Sequence, residues 1–147
     1  MLMDIPTLVE SLARKYQTRN PFEIARARNI ITVFAPLIDI RGFYQYFQRN
    51  NIIYIDEGLP EHEQRFVCAH ELGHFFLHKG KNAIFMDTRT GLNTSKYEIE
   101  ANKFAACLLI PEEVIRANSD CTTEQLSRLL GHEEALIELW MKCCREI

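Results

Sequence analysis

The most constraining feature of this chain is the stretch from His70 to His74, which reads His-Glu-Leu-Gly-His. Residues four apart on a helix lie one turn above each other, so both imidazoles face the same side. Glu71 lies one step round the helix, within reach of a water molecule held near the two rings. A chain of this composition contains such a pattern about 0.02 times by chance, so the motif is informative. It predicts a helix that binds a metal ion.

The residues around the motif predict that this helix, expected over residues 60–78, is buried against another element. Apolar side chains share one face with the histidines at helical spacing: Phe66, Val67 and Leu77. Gly73 is costly inside a helix, but it suits a position that another backbone approaches closely. Pro60 is expected to be the first residue of the helix. The alternative is a buried amphipathic helix whose histidines are hydrogen-bonded core residues without a metal ion.

A catalytic zinc ion takes three protein ligands and keeps one position open, so a third ligand must lie outside the motif. His78 continues the four-residue spacing, but it lies about 12 Å along the helix axis from His70. Because metal–nitrogen bonds are about 2 Å long, His78 cannot share the ion. A surface position is the simpler interpretation for His78, as it is for His62. We therefore expect the third ligand to come from a second helix.

The helix expected over residues 95–109 offers two carboxylates, Glu98 and Glu100. They lie about 200° apart round the helix, so only one of them can face the motif. Glu98 shares its face with Asn102 and with small alanines that let two helices approach closely, which favours Glu98 as the metal ligand. Asn102 can then orient a ligand by a hydrogen bond, and Glu100 stays the alternative ligand. Ser95 and Glu98 also fit a capping box, a use that competes for the same carboxylate.

The remaining pattern predicts one α+β domain over residues 1–147, mostly helical, with a small, largely antiparallel sheet of three or four strands packed on the motif helix. Two N-terminal helices and most of the sheet are expected in residues 1–59. β-branched and aromatic runs predict strands at about 30–35, 43–47, 52–56 and 83–87. The last of these either completes the sheet or offers an edge on which a substrate peptide adds as a further strand.

Short helices are expected in the C-terminal part, residues 111–147, and the last two have a faint likeness to a helix-turn-helix. Their acidic side chains outnumber the basic ones, so we expect packing rather than direct nucleic acid binding. The net charge of −3 likewise predicts no general attraction for nucleic acid or for an anionic membrane. The C-terminal helices and the net charge therefore lack the usual sequence features of a DNA-binding domain.

The composition predicts a soluble cytoplasmic protein. Hydrophobic residues make up 47% of the chain and charged residues 25%, which is ordinary for a globular domain. Neither a signal-peptide pattern at the N-terminus nor an apolar run long enough to span a bilayer is found in the sequence. The five cysteines are odd in number and lack C-x-x-C spacing, so we expect reduced thiols rather than a disulfide framework.

Two stretches of the sequence resemble the ImmA/IrrE family of metallopeptidases. Residues 69–78 contain the motif, and residues 98–111 match the family's E-x-E-A-N-x-F-A-A-x-L-L-M-P signature except for Ile110 in place of Met. The spacing from Glu98 to Asn102 is also similar to the Glu-x-x-x-Asp of gluzincins such as thermolysin, whose first Glu binds zinc. The N-terminal elements follow the family's order, so the resemblance covers most of the chain.

The resemblance implies a zincin-like zinc endopeptidase, with Mn²⁺ as the alternative metal, that cleaves a helix-turn-helix repressor and so derepresses phage or mobile-element genes. The expected metal ligands are His70, His74 and Glu98. Glu71 is expected to act as general base, and Tyr97 is a candidate second electrophile. Two other functions stay open. One is a metal-binding regulatory protein that binds a repressor partner without proteolysis, and the other is a small DNA-associated protein.

Overall fold

The computed structural model describes residues 4–78, 83–85 and 96–144. Within them, four strands form one sheet: β1 (Ile31–Ala35), β2 (Gly42–Phe47), β3 (Asn50–Asp56) and β4 (Ala83–Phe85). The helices are α1 (Ile5–Tyr16), α2 (Pro21–Ala27), α3 (Glu61–Leu77), α4 (Lys96–Leu109), α5 (Glu112–Ala117), α6 (Thr123–Leu130) and α7 (Glu134–Cys143). The predicted α+β architecture, mostly helical with a small sheet, is confirmed.

The N-terminal helices begin where the capping residues in the sequence indicate. The side chain of Asp4 accepts a hydrogen bond of 2.8 Å from the backbone N–H of Thr7, and Asn20 caps α2, whose first residue is Pro21. Pro60 was wrongly expected to be the first residue of the motif helix. It precedes α3 in an extended conformation with φ −58° and ψ 156°, so the helix starts one residue later.

Other element boundaries differ from the predictions by one or two residues, because helix and strand ends are weakly specified by sequence. The strands predicted at about 43–47 and 52–56 begin earlier, at Gly42 and Asn50. Residues 86–87 of the predicted edge strand and Ser95 of the predicted capping box lie outside the described residues. That competing use of Glu98 therefore stays a prediction.

The sheet is mixed, in the order β1-β3-β2-β4. β2 pairs antiparallel with both β3 and β4, so two of the three pairings are antiparallel as expected, whereas β1 pairs parallel with β3. Gln48 and Arg49 form a two-residue turn between β2 and β3 with φ of 49° and 67°. Two successive residues with positive φ give a turn whose twist matches that of the flanking strands. Asn50 and Asn51 belong to β3.

Helix α3 packs on the sheet through a close approach at Gly42. A Cβ at this position would lie 2.5 Å from both the carbonyl oxygen of Tyr54 and the Cγ1 of Val67. Only glycine fits there, since real Cβ atoms do not come so near to other heavy atoms. The middle of α3, residues 67–74, is accordingly buried.

The same helix meets α4 at a second glycine. A Cβ on Gly73 would lie 3.0 Å from the Cα of Ala101 and 3.1 Å from the Cβ of Phe104. Gly73 and the small side chain of Ala101 therefore let the two backbones approach closely. This is the close approach that the sequence predicted at Gly73. This crossing brings the motif face of α3 against the first half of α4.

The far end of α4 is held from two directions. The guanidinium of Arg19, which follows α1, donates hydrogen bonds to the carbonyl oxygens of Cys107 at 2.9 Å and Leu108 at 3.2 Å. On the other side α7 packs on α4 with Leu136, Ile137 and Trp140 buried. Arg19 thereby satisfies carbonyls in the last turn, which have no partner inside a helix.

A disulfide joins Cys107 of α4 to Cys144 at the end of α7. This corrects the expectation that all cysteines are reduced. The sequence could not indicate the pair because its two members are 37 residues apart and meet only when α7 packs on α4. Cys68, Cys121 and Cys143 are free thiols.

The C-terminal helices α6 and α7 pack together. α6 begins with a capping box between Thr122 and Gln125, and its C-cap is Gly131 with φ 76°. α6 and α7 pack on each other, which buries Leu126 and Trp140. Among the described residues, none of these helices reaches the length and hydropathy needed to cross a bilayer.

Candidate metal centre

Three side chains from two helices converge where α3 crosses α4. Nε2 of His70 lies 2.8 Å from Oε2 of Glu98, and Nε2 of His74 lies 2.8 Å from Oε1 of the same carboxylate. All three side chains are buried. The helical spacing of four residues places the two imidazoles on one face of α3, and the close crossing at Gly73 brings Glu98 of α4 to that face.

The second ring nitrogen of His70 is held by Asn102, one turn beyond Glu98 on α4. Nδ1 of His70 donates to the Oδ1 of Asn102 over 2.7 Å, which leaves the lone pair of Nε2 facing the Glu98 carboxylate. Two lone pairs facing each other at this distance repel unless a proton or a cation lies between them. The contact therefore fits an imidazole prepared to bind a positive ion.

The charge states favour a cation at neutral pH. Burial lowers the pKa of His70 despite the opposing effect of Glu98, so its imidazole is neutral. For Glu98 burial acts to raise the pKa, but contacts with His70 and His74 outweigh it and lower the pKa to about 2. A neutral imidazole and an ionised carboxylate are the forms that ligate a divalent metal ion.

Glu71 lies beside these ligands with both carboxylate oxygens buried, and neither has a hydrogen-bond partner within the described part of the chain. Burial raises its pKa well above the usual value, and the charge of Glu98 adds to this effect. Within the described residues Nε2 of His74 has no hydrogen-bond partner either, although it lies 2.8 Å from Oε1 of Glu98. Unpaired buried polar atoms are rare in proteins and call for an explanation such as a missing ion or water.

These unpaired atoms fit a metal ion. Ligand atoms of His70, Glu71 and His74 all lie within 4.8 Å of one another, a spacing that one cation can bridge. Two imidazoles and a carboxylate form the donor set of a catalytic zinc site, which leaves a position open for water. The residues present therefore suit the metal that the sequence predicts, and the identity of each ligand stays a prediction.

Glu100, the alternative ligand, contacts His78 rather than His70 or His74. Its Oε1 lies 3.3 Å from Nε2 of His78, and it is partly exposed. The geometry favours Glu98 over Glu100 as the third ligand.

His78 is buried, contrary to the expectation of a surface position. Its Nδ1 lies 2.9 Å from Nδ1 of His74, and its ring also contacts that of Tyr97 with 4.6 Å between centroids. α4 covers the end of α3, which no local pattern reveals. The sequence features that could have indicated this burial are the four-residue spacing of His78 from His74 and the presence of Glu100 on α4. His62 is exposed, as expected.

Tyr97 lies next to Glu98 on α4, with 44% of its surface exposed. Its ring packs edge-on against His78, at an interplanar angle of 72°. This contact connects Tyr97 to the periphery of the cluster. A role for Tyr97 as second electrophile stays a prediction.

The sequence is similar to those of known proteins. Residues 25–133 match the family described as the IrrE N-terminal-like domain, and this range contains every residue of the cluster. The chain is 41% identical over 138 residues to "Uncharacterized immunity region protein 2" of Bacillus phage phi105, which covers 92% of this chain and 87% of that protein. It is 32% identical over 109 residues to metallopeptidase ImmA of Bacillus subtilis (strain 168), covering 73% of this chain and 63% of ImmA. The match thus spans less than two thirds of ImmA.

Proposed function

The chain belongs to the ImmA/IrrE family of metallopeptidases, and we propose that it is a cytoplasmic zinc-dependent endopeptidase that cleaves a helix-turn-helix repressor. The observation that carries the endopeptidase proposal is Glu71, a fully buried carboxylate with no hydrogen-bond partner among the described residues, next to His70, His74 and Glu98. The repressor as substrate is supported by the resemblance of the sequence to the family and by a phage relative named for an immunity region.

In this proposal His70, His74 and Glu98 hold the ion, as a gluzincin-like site does. A zinc ion bound there supplies Lewis-acid polarisation of the peptide carbonyl and lowers the pKa of water. Asn102 keeps the imidazole of His70 in the tautomer whose Nε2 is available. The interhelical position of Glu98 makes the site depend on the crossing of α3 and α4.

Glu71 performs the proton transfers. Its carboxylate accepts a proton from the attacking water and then gives it to the amide nitrogen as the C–N bond breaks, so the residue ends each cycle unprotonated. Burial raises the pKa of Glu71 well above its usual value, which makes its carboxylate a stronger base. No hydrogen bond within the described residues engages its oxygens, so no protein group there competes for them with a water bound at the metal.

The test is Glu71→Gln, which removes the base and keeps the shape of the side chain. We expect the variant to bind stoichiometric zinc and to lose hydrolysis of purified helix-turn-helix repressors by at least about 10²-fold. Cleavage is read as new protein termini by mass spectrometry, and a chelator should abolish it in the wild type. Full activity of the variant would remove Glu71 from the mechanism.

Elemental analysis separates the two carboxylates on α4. Glu98→Gln should be purified without the metal, whereas Glu100→Gln should still take up one ion when zinc is in excess. The same measurement on the wild type distinguishes zinc from manganese. Binding of a repressor by the metal-loaded wild type, without new termini, would replace the peptidase by the metal-binding regulatory alternative.

A further inference from the structure

A third histidine continues the cluster away from the proposed metal position. Nδ1 of His74 lies 2.9 Å from Nδ1 of His78, and Nε2 of His78 lies 3.3 Å from Oε1 of Glu100. His78 is 8% exposed, so its ring is within the fold rather than in solvent. The three side chains form a chain of contacts from α3 to α4.

The proton positions along this series of three side chains follow from the proposed role of His74 as a metal ligand. When Nε2 of His74 offers its lone pair to a metal ion, the ring proton must be on Nδ1. That N–H can donate only to an unprotonated Nδ1 of His78, which places the proton of His78 on Nε2. Nε2 of His78 then donates to the carboxylate of Glu100. One assignment of protons therefore gives a donor and an acceptor at both contacts, from His74 to His78 and from His78 to Glu100.

The surroundings of His78 hold its ring in this orientation. His78 ends α3, with its backbone N–H bonded to the carbonyl oxygen of His74 at 2.8 Å. The ring of Tyr97 packs edge-on against it, with 4.6 Å between centroids. The ring of His74 lies 5.1 Å away by the same measure. An imidazole confined from two sides has little freedom to rotate away from its hydrogen bonds.

The two histidines of the motif are thus supported in different ways. His70 is oriented by Asn102 on α4, whereas His74 is oriented by His78, which Glu100 contacts in turn. Partners of this kind fix the tautomer and ring orientation of a ligating histidine and raise its basicity. Glu100, the alternative ligand of the sequence analysis, accordingly lies two contacts away from His74.

We propose that His78 and Glu100 are positioning residues that hold His74 ready for the metal. The proposal rests on the metal site of the proposed function, but it does not depend on proteolysis. Loss of the acceptor at His78 would leave the buried Nδ1–H of His74 without a partner when the metal is bound. Loss of charge at Glu100, which is partly exposed, should have a smaller effect.

The experiment measures the dissociation constant for zinc by competition with a chromogenic chelator, alongside urea unfolding of the metal-free proteins. His78→Phe should weaken zinc binding by about 10- to 100-fold. His78→Gln, whose amide can accept from His74, should recover part of the affinity. Glu100→Gln should weaken binding by less than about 10-fold. His62→Gln is the matched control, since it removes an exposed histidine from the same helix and should leave zinc affinity unchanged.

The stability measurement separates positioning from folding. We expect the zinc affinity of His78→Phe to fall while the free energy of unfolding of its metal-free form stays near that of the wild type. If His78→Phe does not fold, the test moves to Glu100→Gln with cobalt substitution, whose visible spectrum should shift because the geometry at His74 changes. Wild-type zinc affinity in these variants would overturn the inference and leave the proposed peptidase intact. A wild-type protein that binds no zinc would overturn both.

Discussion

A Cβ atom on Gly73 of α3 would lie only 3.0 Å from the Cα of Ala101 on α4. This relationship sets the separation of α3 and α4, and with it the distance from His70 and His74 to Glu98. Helices without such a close approach pack with their axes about 8–10 Å apart, depending on the side chains between them. The metal site therefore depends on a residue that cannot itself ligate.

Gly73→Ala should separate these helices and weaken the site. The added methyl group meets backbone atoms of Ala101, which cannot rotate away, so an overpacking cost of about 1–3 kcal/mol exceeds the roughly 1 kcal/mol that alanine gains in helix propensity. We expect a lower free energy of unfolding and a weaker zinc affinity, measured by urea unfolding and chelator competition.

The matched control is Gly58→Ala. Its nearest heavy atoms, the carboxylate oxygens of Asp56, lie at 3.8 Å, which is ordinary contact. Stability and zinc affinity should both be close to those of the wild type. A more stable Gly73→Ala protein with unchanged zinc affinity would show that the crossing tolerates the methyl group.

Asn102→Leu should reduce zinc affinity about 10- to 100-fold, because it removes the acceptor for the Nδ1–H of His70. Leucine has a similar size, so the packing of α4 changes little. Asn102→Asp keeps an acceptor oxygen at the same place and should restore most of the affinity. Both values come from the same chelator competition. Equal affinities for the leucine and aspartate variants would mean that the hydrogen bond does not orient the ligand.

The disulfide predicts the number of reactive thiols. In the denatured, unreduced protein an alkylating reagent should modify three cysteines, Cys68, Cys121 and Cys143, and all five after reduction. Mass spectrometry counts the adducts. Closing a loop of this length stabilises a fold by about 4 kcal/mol in the chain-entropy description. Reductant should therefore lower the Tm of the wild type but not that of a variant with Cys107→Ala and Cys144→Ala.

The stability of the metal-free protein should rise with pH through a contribution from His132. Burial lowers the pKa of this histidine, and His62 and Arg65 lower it further. The unfolded chain then binds a proton more readily than the folded one, so stability is complete above the unfolded pKa of about 6.5 and declines as the pH falls towards the folded pKa. His132→Asn should flatten this part of the profile in urea unfolding between pH 5 and 7.5. Identical pH slopes for the two proteins would contradict the assignment.

Much of the site could be predicted because it depends on the spacing of residues within single helices. The spacing of His70 and His74 along one helix, and the rotation between Glu98 and Glu100 along another, follow from helix geometry alone. The capping residues Asp4 and Asn20 are equally local, and the structure has both caps.

The features that sequence reasoning missed are those created by packing between distant segments. The burial of His78 depends on α4 covering the end of α3, and the pairing of Cys107 with Cys144 depends on the contact between α4 and α7. The parallel pairing of β1 with β3 was missed for a similar reason. Periodicity indicates which face of a strand is buried, but it does not indicate which neighbour lies beside it.

The hydrogen bonds from Arg19 to the end of α4 affect where the folding unit begins. The family match starts at residue 25, so Arg19 and all of α1 precede it, although α1 contacts α4 and buries Val9 and Leu12. A protein trimmed to the matched range would expose the apolar surface of α4 that α1 covers. It would also lose the hydrogen bonds from Arg19 to the last turn of α4, the helix that carries Glu98. The range matched by the family model is therefore shorter than the segment that packs around the site.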